Sequence, residues 1–314
     1  MAPLGCRRVP GSDAAAAPSH EPASDPRASD APGSAEAAAT PPARARFPAG
    51  FRPADPKASI VVTVRNEARH ISDLLDSLVV QEGPFEIVIV DALSTDGTAD
   101  IVRRYAKEYP TIRLFEEAGT RGAGRNAGVR YATGDFVAFI DGDCIANPFW
   151  IKRLRQGLAD ADVVAGRTVQ IGYYAFEALQ RVELEHQGQD VTWPSCNLAY
   201  WKDLFDATGG FDEAFVTAED IDLNYRAVGL GARLVDDEEA IVYHRARDTV
   251  SQFVHQAYWN GYGRKQLTLK HGSLWGDYSL GKMLRQQASF WGLTRLGSAF
   301  MGYAAAKLKE KGPR

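Results

Sequence analysis

Two carboxylates, Asp141 and Asp143, stand one residue apart in the middle of the chain, directly after an apolar run at residues 135–140. The run has the composition of a buried strand, so the two acids fall at its carboxyl end. In open α/β sheets ligands bind at that edge, and carboxylates there suit a hard divalent cation shared with substrate phosphates. A solvated turn is the alternative, because Asp-Gly pairs are common in turns. The pattern alone leaves both interpretations open.

A second acidic group, formed by Glu219, Asp220 and Asp222, opens a predicted helix. Acidic residues in the first turn of a helix interact favourably with its dipole, and one of them can act as the cap. Capping explains one such residue more readily than three. Because Gly-rich turn residues 209–213 come shortly before them, one of these carboxylates can reach a cleft that faces the predicted metal site.

Alternating strand-like and helix-like stretches must position both acidic groups. Predicted strands cover residues 59–64, 85–90, 111–115, 135–140, 163–169 and part of 234–243; predicted helices cover residues 71–80, 101–105, 122–132 and 148–158 and one that begins at 219. This alternation is typical of an α/β fold with a mainly parallel sheet. The two commonest phosphate-binding fingerprints are absent from the sequence, but the Gly-rich, basic stretch 121–125 suits contacts to a diphosphate.

The first 57 residues differ in composition from the rest of the 314-residue chain. They are rich in Ala, Pro, Ser and Gly and hold few large apolar side chains, so we expect disorder. The segment has no apolar core of a signal peptide, and its acidic residues argue against a transit peptide. Cys6, Cys144 and Cys196 show no paired spacing, which favours reduced thiols in the cytoplasm. The charge distribution does not predict a nucleic-acid partner.

Six short motifs follow one another in a recognisable order. They are Val64-Arg65-Asn66-Glu67, Asp91-x-x-Ser94-x-Asp96-Gly97-Thr98, Gly124-Arg125-Asn126-x-Gly128, Asp141-Gly142-Asp143, Gly209-Gly210-Phe211-Asp212-Glu213 and Glu219-Asp220-x-Asp222-Leu223-x-x-Arg226. In this order they make the chain resemble a family 2 glycosyltransferase with the GT-A fold over residues 58–270, and more narrowly it is similar to ExoA-type exopolysaccharide enzymes. Each motif alone is weak, whereas six in order are highly specific.

The resemblance implies a role for each matched residue. It implies Thr63 and Glu67 near the nucleotide base, Asp91 on the base or ribose, Arg121 and Arg125 near the nucleotide or diphosphate, Asp141 on the ribose or sugar, Asp143 and His244 on Mn²⁺ or Mg²⁺, and Asp220, with Glu219 as the alternative, as catalytic base. We also assign acceptor contacts to Trp193 and Asn197. Thr63 stands where Pro is common and Ala92 replaces a second acid, so selectivity for the base stays unassigned.

The implied reaction agrees with the chemistry of these groups. Transfer from a nucleotide sugar needs a neutralised leaving diphosphate, which a metal ion provides as a Lewis acid, and a base within reach of the acceptor hydroxyl. A single attack by the deprotonated hydroxyl would invert the anomeric centre. We expect a UDP-sugar donor, with a GDP-sugar as the alternative, and a glycan or lipid-linked acceptor in cell-surface or exopolysaccharide synthesis. A sugar nucleotidyltransferase and a non-catalytic nucleotide-sugar-binding module of the same fold are the rival interpretations.

Residues 271–314 are predicted to form a helical region after the catalytic domain. The stretch 290–303 is fairly apolar but too short and too polar to predict a membrane span. The Lys and Arg residues around it favour an interfacial helix, since cations bind anionic headgroups. A helix docked on the catalytic domain or in a dimer is the equal alternative. We therefore expect a cytoplasmic protein and leave peripheral contact with the inner face of the membrane open.

Overall fold

The computed structural model of the chain describes residues 47, 50–171, 181–245, 249–274, 276, 278, 281, 285 and 287–311. Most of the predicted leading segment, residues 1–57, lies outside these described residues. Its last part contacts the domain, because Arg52 Nη1 donates to the carboxylate of Asp203 at 2.9 Å and the guanidinium lies 4.2 Å from the centroid of the Trp201 ring. The domain therefore extends upstream of the predicted boundary at residue 57.

Ten strands are formed by the described residues, and the six predicted strands are among them. They are β1 (Ala58–Val64), β2 (Phe85–Asp91), β3 (Ile112–Glu116), β4 (Phe136–Asp141), β5 (Cys144–Ala146), β6 (Val163–Ile171), β7 (Glu185–His186), β8 (Gln189–Asp190), β9 (Leu198–Trp201) and β10 (Leu234–Arg245). Eight of them form one sheet in the order β3-β2-β1-β4-β9-β6-β10-β5, while β7 and β8 pair as a separate ribbon.

The main helices pack around this sheet. They are α1 (Ile71–Val79), α2 (Thr98–Glu108), α3 (Arg121–Tyr131), α4 (Trp150–Gly157), α5 (Lys202–Thr208), α6 (Glu219–Gly229), α7 (Val250–His271) and α8 (Phe290–Lys311). The predicted helices are confirmed with bounds that differ by one or two residues at most ends. The chain thus has the predicted α/β architecture, with a helical C-terminal region.

The sheet changes direction at β9. Strands β3, β2, β1 and β4 are parallel to one another. Strand β9 lies between β4 and β6 and is antiparallel to both, and β10 is parallel to β6. Strand β9 is not among the predicted strands, because a strand of four residues is too short to show periodicity. All four residues of β9 are buried. The parallel half places the carboxyl ends of β1, β2 and β4 at one edge of the sheet.

Helix α3 packs unusually closely against β1. A methyl group added at Gly128 would lie 2.4 Å from Val61 Cγ1, and one added at Gly124 would lie 2.9 Å from Thr63 Cγ2. Such distances are well inside van der Waals contact, so any larger residue would push the helix away from the strand. The two glycines therefore hold Arg125, which lies between them, against the sheet edge.

A buried carboxylate joins α6 to α7. Asp222 is fully buried and accepts from Arg226 Nη2 at 2.7 Å, Lys270 Nζ at 2.9 Å and His271 Nε2 at 2.7 Å. Burial alone would raise its pKa, but the bonds from His271 and Lys270 and the Arg226 charge lower the pKa to about 2. Because the pKa of Asp222 is lower in the folded than in the unfolded chain, its ionised carboxylate stabilises the fold. This stabilisation is fully present above about pH 4 and is lost as the pH falls toward 2.

Helices α7 and α8 run parallel and touch through small residues. The rings of Phe253 and Trp291 lie 6.0 Å apart, and Lys265 Nζ lies 5.6 Å from the Tyr303 ring, so contacts advance along both helices in the same direction. A methyl group at Gly261 would lie 1.7 Å from a carbonyl oxygen of α8. Within the described part of the chain, neither these helices nor any other is long and apolar enough to cross a bilayer.

Candidate active site

A cavity of about 1900 Å³ opens at the carboxyl edge of the parallel strands and extends along α7 and α8. Ten of the predicted site residues line it: Thr63, Glu67, Arg121, Arg125, Asp141, Asp143, Trp193, Glu219, Asp220 and His244. The two acidic groups recognised in the sequence thus face one space. Asp91 and Asn197 are fully buried beside it.

Arg125 lies in the cavity wall and connects the two acidic groups. Its Nη2 donates to Asp141 Oδ1 at 2.7 Å, and its Nη1 donates to Glu219 Oε1 at 2.9 Å. Only 2% of the residue is exposed, and its guanidinium lies 5.5 Å from the centroid of the Phe211 ring. Both ends of Arg125 are bound to carboxylates, which gives the residue a positioning role. That Arg125 lies near the nucleotide or diphosphate stays a prediction.

The charge of Arg125 keeps Asp141 ionised. Burial is the largest influence and would raise the pKa of Asp141, but Arg125, supported by His244 and Arg121, lowers the pKa overall. The same two carboxylates raise the pKa of Arg125 despite its burial. Arg121 is the more accessible of the two arginines, since 59% of its side chain is exposed and its Nε lies 3.9 Å from Glu219 Oε1. Arg121 is therefore the cation that can meet a diphosphate.

Asp220 lies in the first turn of α6 and is half-buried in the cavity wall. Its Oδ2 accepts from the Ser195 N–H at 3.1 Å and its Oδ1 from the Ile221 N–H at 2.8 Å. Burial, and then the charge of Glu219, raise the pKa of Asp220 to about 6, while Arg125 opposes the shift. A carboxylate with a pKa close to neutral pH accepts a hydroxyl proton more effectively than an ordinary aspartate.

The geometry distinguishes the two members of the acid pair. Glu219 is 5% exposed and its Oε1 is occupied by Arg125, whereas Asp220 holds only backbone N–H groups. Of the two carboxylates, Asp220 is the one without an ion pair to Arg125, and it is therefore the better proton acceptor. Ala218, which precedes the pair, adopts a left-handed conformation with φ of 66°, a conformation that is sparsely populated for residues with a Cβ and concentrates at functional sites.

Asp143 and His244 meet at one side of the cavity. Antiparallel pairing of β5 with β10 sets His244 opposite Cys144, and His244 Nε2 lies 3.5 Å from Asp143 Oδ1. His244 Nδ1 lies 3.0 Å from Gln170 Oε1. In the neutral tautomer in which Nδ1 donates to this amide oxygen, the Nε2 lone pair is directed toward Asp143, and both groups can ligate one cation.

These groups fit a divalent cation. A carboxylate oxygen of Asp143, a ring nitrogen of His244 and the Cys144 Sγ lie within 4.8 Å of one another. The neighbouring Cys196 and burial raise the pKa of the Cys144 thiol, so it stays protonated and is a poor metal ligand. One carboxylate and one imidazole fit a first-row ion such as Mn²⁺ better than Mg²⁺, which prefers oxygen ligands.

Sequence reasoning missed Gln170, which orients the imidazole. Gln170 and His244 are register partners on the parallel strands β6 and β10, but they are 74 residues apart in the chain. In the sequence Gln170 is a polar residue directly after the predicted strand 163–169, which is too common a pattern to single it out. The pairing of β6 with β10 is the missing information.

Asp91 has an unusual environment at the end of β2. Its Oδ1 accepts from the Ser94 N–H at 2.6 Å, while its buried Oδ2 has no hydrogen-bond partner among the described residues. An unpartnered buried carboxylate oxygen is unfavourable by about 1–3 kcal/mol or more. Its chain neighbours Val90 and Ala92 line the cavity with Thr63. The free oxygen is thus a candidate acceptor for an N–H or O–H group of a nucleoside.

The two predicted acceptor residues have different surroundings. Asn197 accepts from Trp150 Nε1 at 2.8 Å and donates to the carbonyls of Arg167 and Ala240. Its amide is therefore fully used within the fold, and the predicted acceptor contact is wrong for this residue. Trp193 does line the cavity, but the Arg181 guanidinium lies 3.7 Å from its ring centroid and covers one face.

Known sequences similar to this chain are glycosyltransferases. A family profile described as Glycosyl transferase family 2 matches residues 59–208. Succinoglycan biosynthesis protein ExoA of Rhizobium meliloti is 30% identical over 236 residues, which cover 68% of this chain and 70% of ExoA. Glycosyltransferase AglE of Haloferax volcanii is 27% identical over 208 residues, which cover 61% of this chain and 68% of AglE. The chain spans about half, 51%, of the pre-mycofactocin glycosyltransferase of Mycobacterium tuberculosis, to which it is 27% identical.

Solved structures share the fold at low sequence identity. The mannosyltransferase PcManGT from Pyrobaculum calidifontis, in complex with GDP-Man and Mn²⁺, matches with a TM-score of 0.58 and 22% identity over 83% of this chain and 77% of that one. S. aureus TarS in complex with UDP-GlcNAc matches with a TM-score of 0.52 and 18% identity over 82% of this chain and 92% of that one. At these identities the likeness establishes a common GT-A architecture.

Proposed function

Because the chain belongs to glycosyl transferase family 2, we propose that it transfers a sugar from a nucleotide-sugar donor to an acceptor hydroxyl with inversion of the anomeric centre, using a divalent cation. Asp220 carries this proposal. It is the acid of the cavity wall that combines a pKa of about 6 with a carboxylate held only by backbone N–H groups. Glu219, its neighbour, is committed to Arg125.

The proposed reaction is a single displacement. Asp220 accepts the proton of the acceptor hydroxyl while the oxygen forms a bond to the anomeric carbon. The bond from that carbon to the diphosphate oxygen breaks, and the nucleoside diphosphate leaves with the electron pair. A cation held by Asp143 and His244 would supply Lewis acidity toward the diphosphate. Arg121, at the exposed end of α3, adds a positive charge on the same side of the cavity.

Arg125 acts through its partners in this mechanism. By holding Asp141 and Glu219 in fixed positions, it aligns the acid that we assign to the ribose or sugar with the helix that bears the base. Asp91 Oδ2, with Thr63 and Glu67 nearby, is our candidate for contact with the nucleoside. Neighbours of the same fold have been solved with GDP-Man and with UDP-GlcNAc, and we retain the UDP-sugar as the first donor to test.

A donor screen tests the proposed function. UDP-, GDP- and dTDP-sugars are incubated with the protein, with and without Mn²⁺, and thermal shift and slow donor hydrolysis are recorded. We expect one nucleotide class to raise the melting temperature and to be hydrolysed only when the metal is present. Absence of both responses across the panel would contradict a nucleotide-sugar site.

The outer face of α8 supports the proposed peripheral membrane contact. Five large apolar side chains spaced at helical intervals are between 58% and 74% exposed: Phe290, Leu293, Phe300, Met301 and Leu308. At 100° per residue they fall within one stripe about a quarter of a turn wide. Lys307 is exposed at the edge of this stripe. An apolar stripe with a cationic edge fits the surface of an anionic bilayer.

We predict that replacing three of these side chains weakens membrane binding. The triple variant Phe290→Ser, Leu293→Ser, Leu308→Ser should co-sediment with phosphatidylglycerol-containing liposomes about tenfold less, because three apolar side chains no longer enter the interface. A control carrying Val80→Ser and Leu230→Ser, exposed elsewhere on the surface, should bind normally. Equal sedimentation of the triple variant and the wild type would assign the stripe to another contact.

A further inference from the structure

Two arginines in the cavity wall are not used by the proposed donor site. Arg181 comes just before β7, and Arg264 lies in the middle of α7; both line the cavity. Arg264 Nη2 donates to the carbonyl of Val182 at 2.8 Å. The two arginines therefore lie on adjoining parts of the cavity wall, because Arg264 binds the backbone of the residue that follows Arg181.

Arg181 is held in place and keeps an unused donor. Its guanidinium stacks 3.7 Å from the Trp193 ring centroid, and its Nη2 donates to Asp190 Oδ2 at 2.5 Å. Its Nε is buried and has no hydrogen-bond partner among the described residues. A buried N–H without a partner is unfavourable, so this nitrogen points to a ligand group that accepts a hydrogen bond.

Among the described residues, no carboxylate forms an ion pair with Arg264. Its two hydrogen-bond partners, the Val182 carbonyl and the Tyr278 hydroxyl at 3.2 Å, are uncharged. The donor diphosphate is already provided for by Arg121 and by the pair formed by Asp143 and His244. Because Asp190 is ion-paired with Arg181, the two arginines together keep one uncompensated positive charge within the described part of the chain, which fits a second anion.

A short segment links one of these arginines to the proposed base. Trp193, on which Arg181 stacks, is two residues before Ser195, whose N–H donates to Asp220 at 3.1 Å. The two arginines and Asp220 line the same cavity, and segment 193–195 links the contact of Arg181 to that of Asp220. The proposed mechanism needs the acceptor in this cavity, with its hydroxyl at Asp220.

We propose, on the premise of the glycosyl transfer proposed above, that Arg181 and Arg264 bind a phosphate group of the acceptor. A phosphate offers three oxygens and up to two charges, which suits two planar guanidinium groups better than a single carboxylate does. The acceptor is then either a glycan or a lipid that carries a terminal phosphate as a monoester.

The experiment measures phosphate binding with the donor site filled. The full chain is saturated with Mn²⁺ and the nucleoside diphosphate chosen by the donor screen, and then titrated calorimetrically with a hexose monophosphate, farnesyl phosphate in detergent, or unphosphorylated hexose. We expect the phosphates to bind and the hexose not to. Arg264→Gln should weaken phosphate binding by about ten- to a hundredfold, and Arg264→Lys should restore part of it.

Matched variants keep the result interpretable. Arg181→Gln should weaken the same titration, and Arg104→Gln, an exposed arginine on α2, should not. Tighter binding of farnesyl phosphate assigns the phosphate to a lipid, and tighter binding of the hexose phosphate assigns it to a soluble glycan; both support the site. Absence of phosphate binding, or unchanged binding by Arg264→Gln, overturns it. Metal-dependent donor hydrolysis by the same samples tests the proposed function separately.

Discussion

Asp220→Asn should lower turnover by roughly two to four orders of magnitude, the range that general base catalysis contributes. The amide keeps the size of the side chain, and its single oxygen can still accept one of the two N–H groups, of Ser195 or Ile221, that the two carboxylate oxygens bind, so the fold should be retained. It cannot take a proton. Donor affinity, measured by titration of the nucleotide sugar in the presence of Mn²⁺, should change little, because the base faces the acceptor.

The neighbouring acid provides the matched comparison. Glu219→Gln weakens the hold on Arg125, so we expect a lower melting temperature and a smaller fall in turnover than for Asp220→Asn. If Glu219→Gln is inactive and Asp220→Asn is close to normal, the base is Glu219. Near-normal transfer by both variants would remove the base-assisted displacement altogether.

The pH dependence should follow the same residue. Burial raises the pKa of Asp220 to about 6, and only its ionised form accepts a proton. The value of kcat/KM should therefore be at its plateau above that pH and fall about tenfold per pH unit below it. The residual activity of Asp220→Asn should lack this acidic limb. A wild-type profile that stays flat down to pH 5 would speak against Asp220.

Asp143→Ala should abolish metal-dependent transfer. The variant leaves His244 as the remaining ligand of the pair, and the Lewis acid contributes several kcal/mol, so turnover should fall by about three orders of magnitude. Melting in the absence of metal should be unchanged, because the side chain is partly exposed and makes no strong ion pair. The measurement is Mn²⁺ titration of donor binding and of turnover after treatment with a chelator.

A surface aspartate controls for the loss of charge. Asp100→Ala, on the exposed side of α2, should leave the Mn²⁺ response of the wild type intact. Wild-type turnover by chelator-treated Asp143→Ala would show that the metal role is assigned to the wrong residue. Loss of turnover with an unchanged Mn²⁺ dependence of donor binding would move the metal away from Asp143.

The parts of the fold that follow local rules were predictable from the sequence. Strand β4 is a continuous apolar run that ends at Asp141. The acids therefore fall at the carboxyl edge of parallel strands, which is a general location for ligands. Helix α6 begins where three acids coincide with a helix start. In both cases the signal lies within ten residues and does not depend on distant pairing.

The parts that depend on distant pairing were not predictable. The Gly-rich basic stretch predicts a diphosphate contact for Arg125, but Gly124 and Gly128 bring it close to β1, where two carboxylates hold it. Asn197 is predicted to contact the acceptor, yet it lies directly before the short strand β9 and is fully buried, with its amide bonded to Trp150, Arg167 and Ala240. Short strands and close helix packing leave little trace in local composition.

The anomeric configuration of the product tests the central claim most directly. Once the donor screen has chosen a nucleotide sugar, transfer is followed by proton NMR and the coupling constant of the new glycosidic linkage is read from the initial product. A single displacement assisted by Asp220 predicts a linkage inverted relative to the donor. A product with the configuration of the donor would contradict the mechanism, since it requires two displacements or front-side attack.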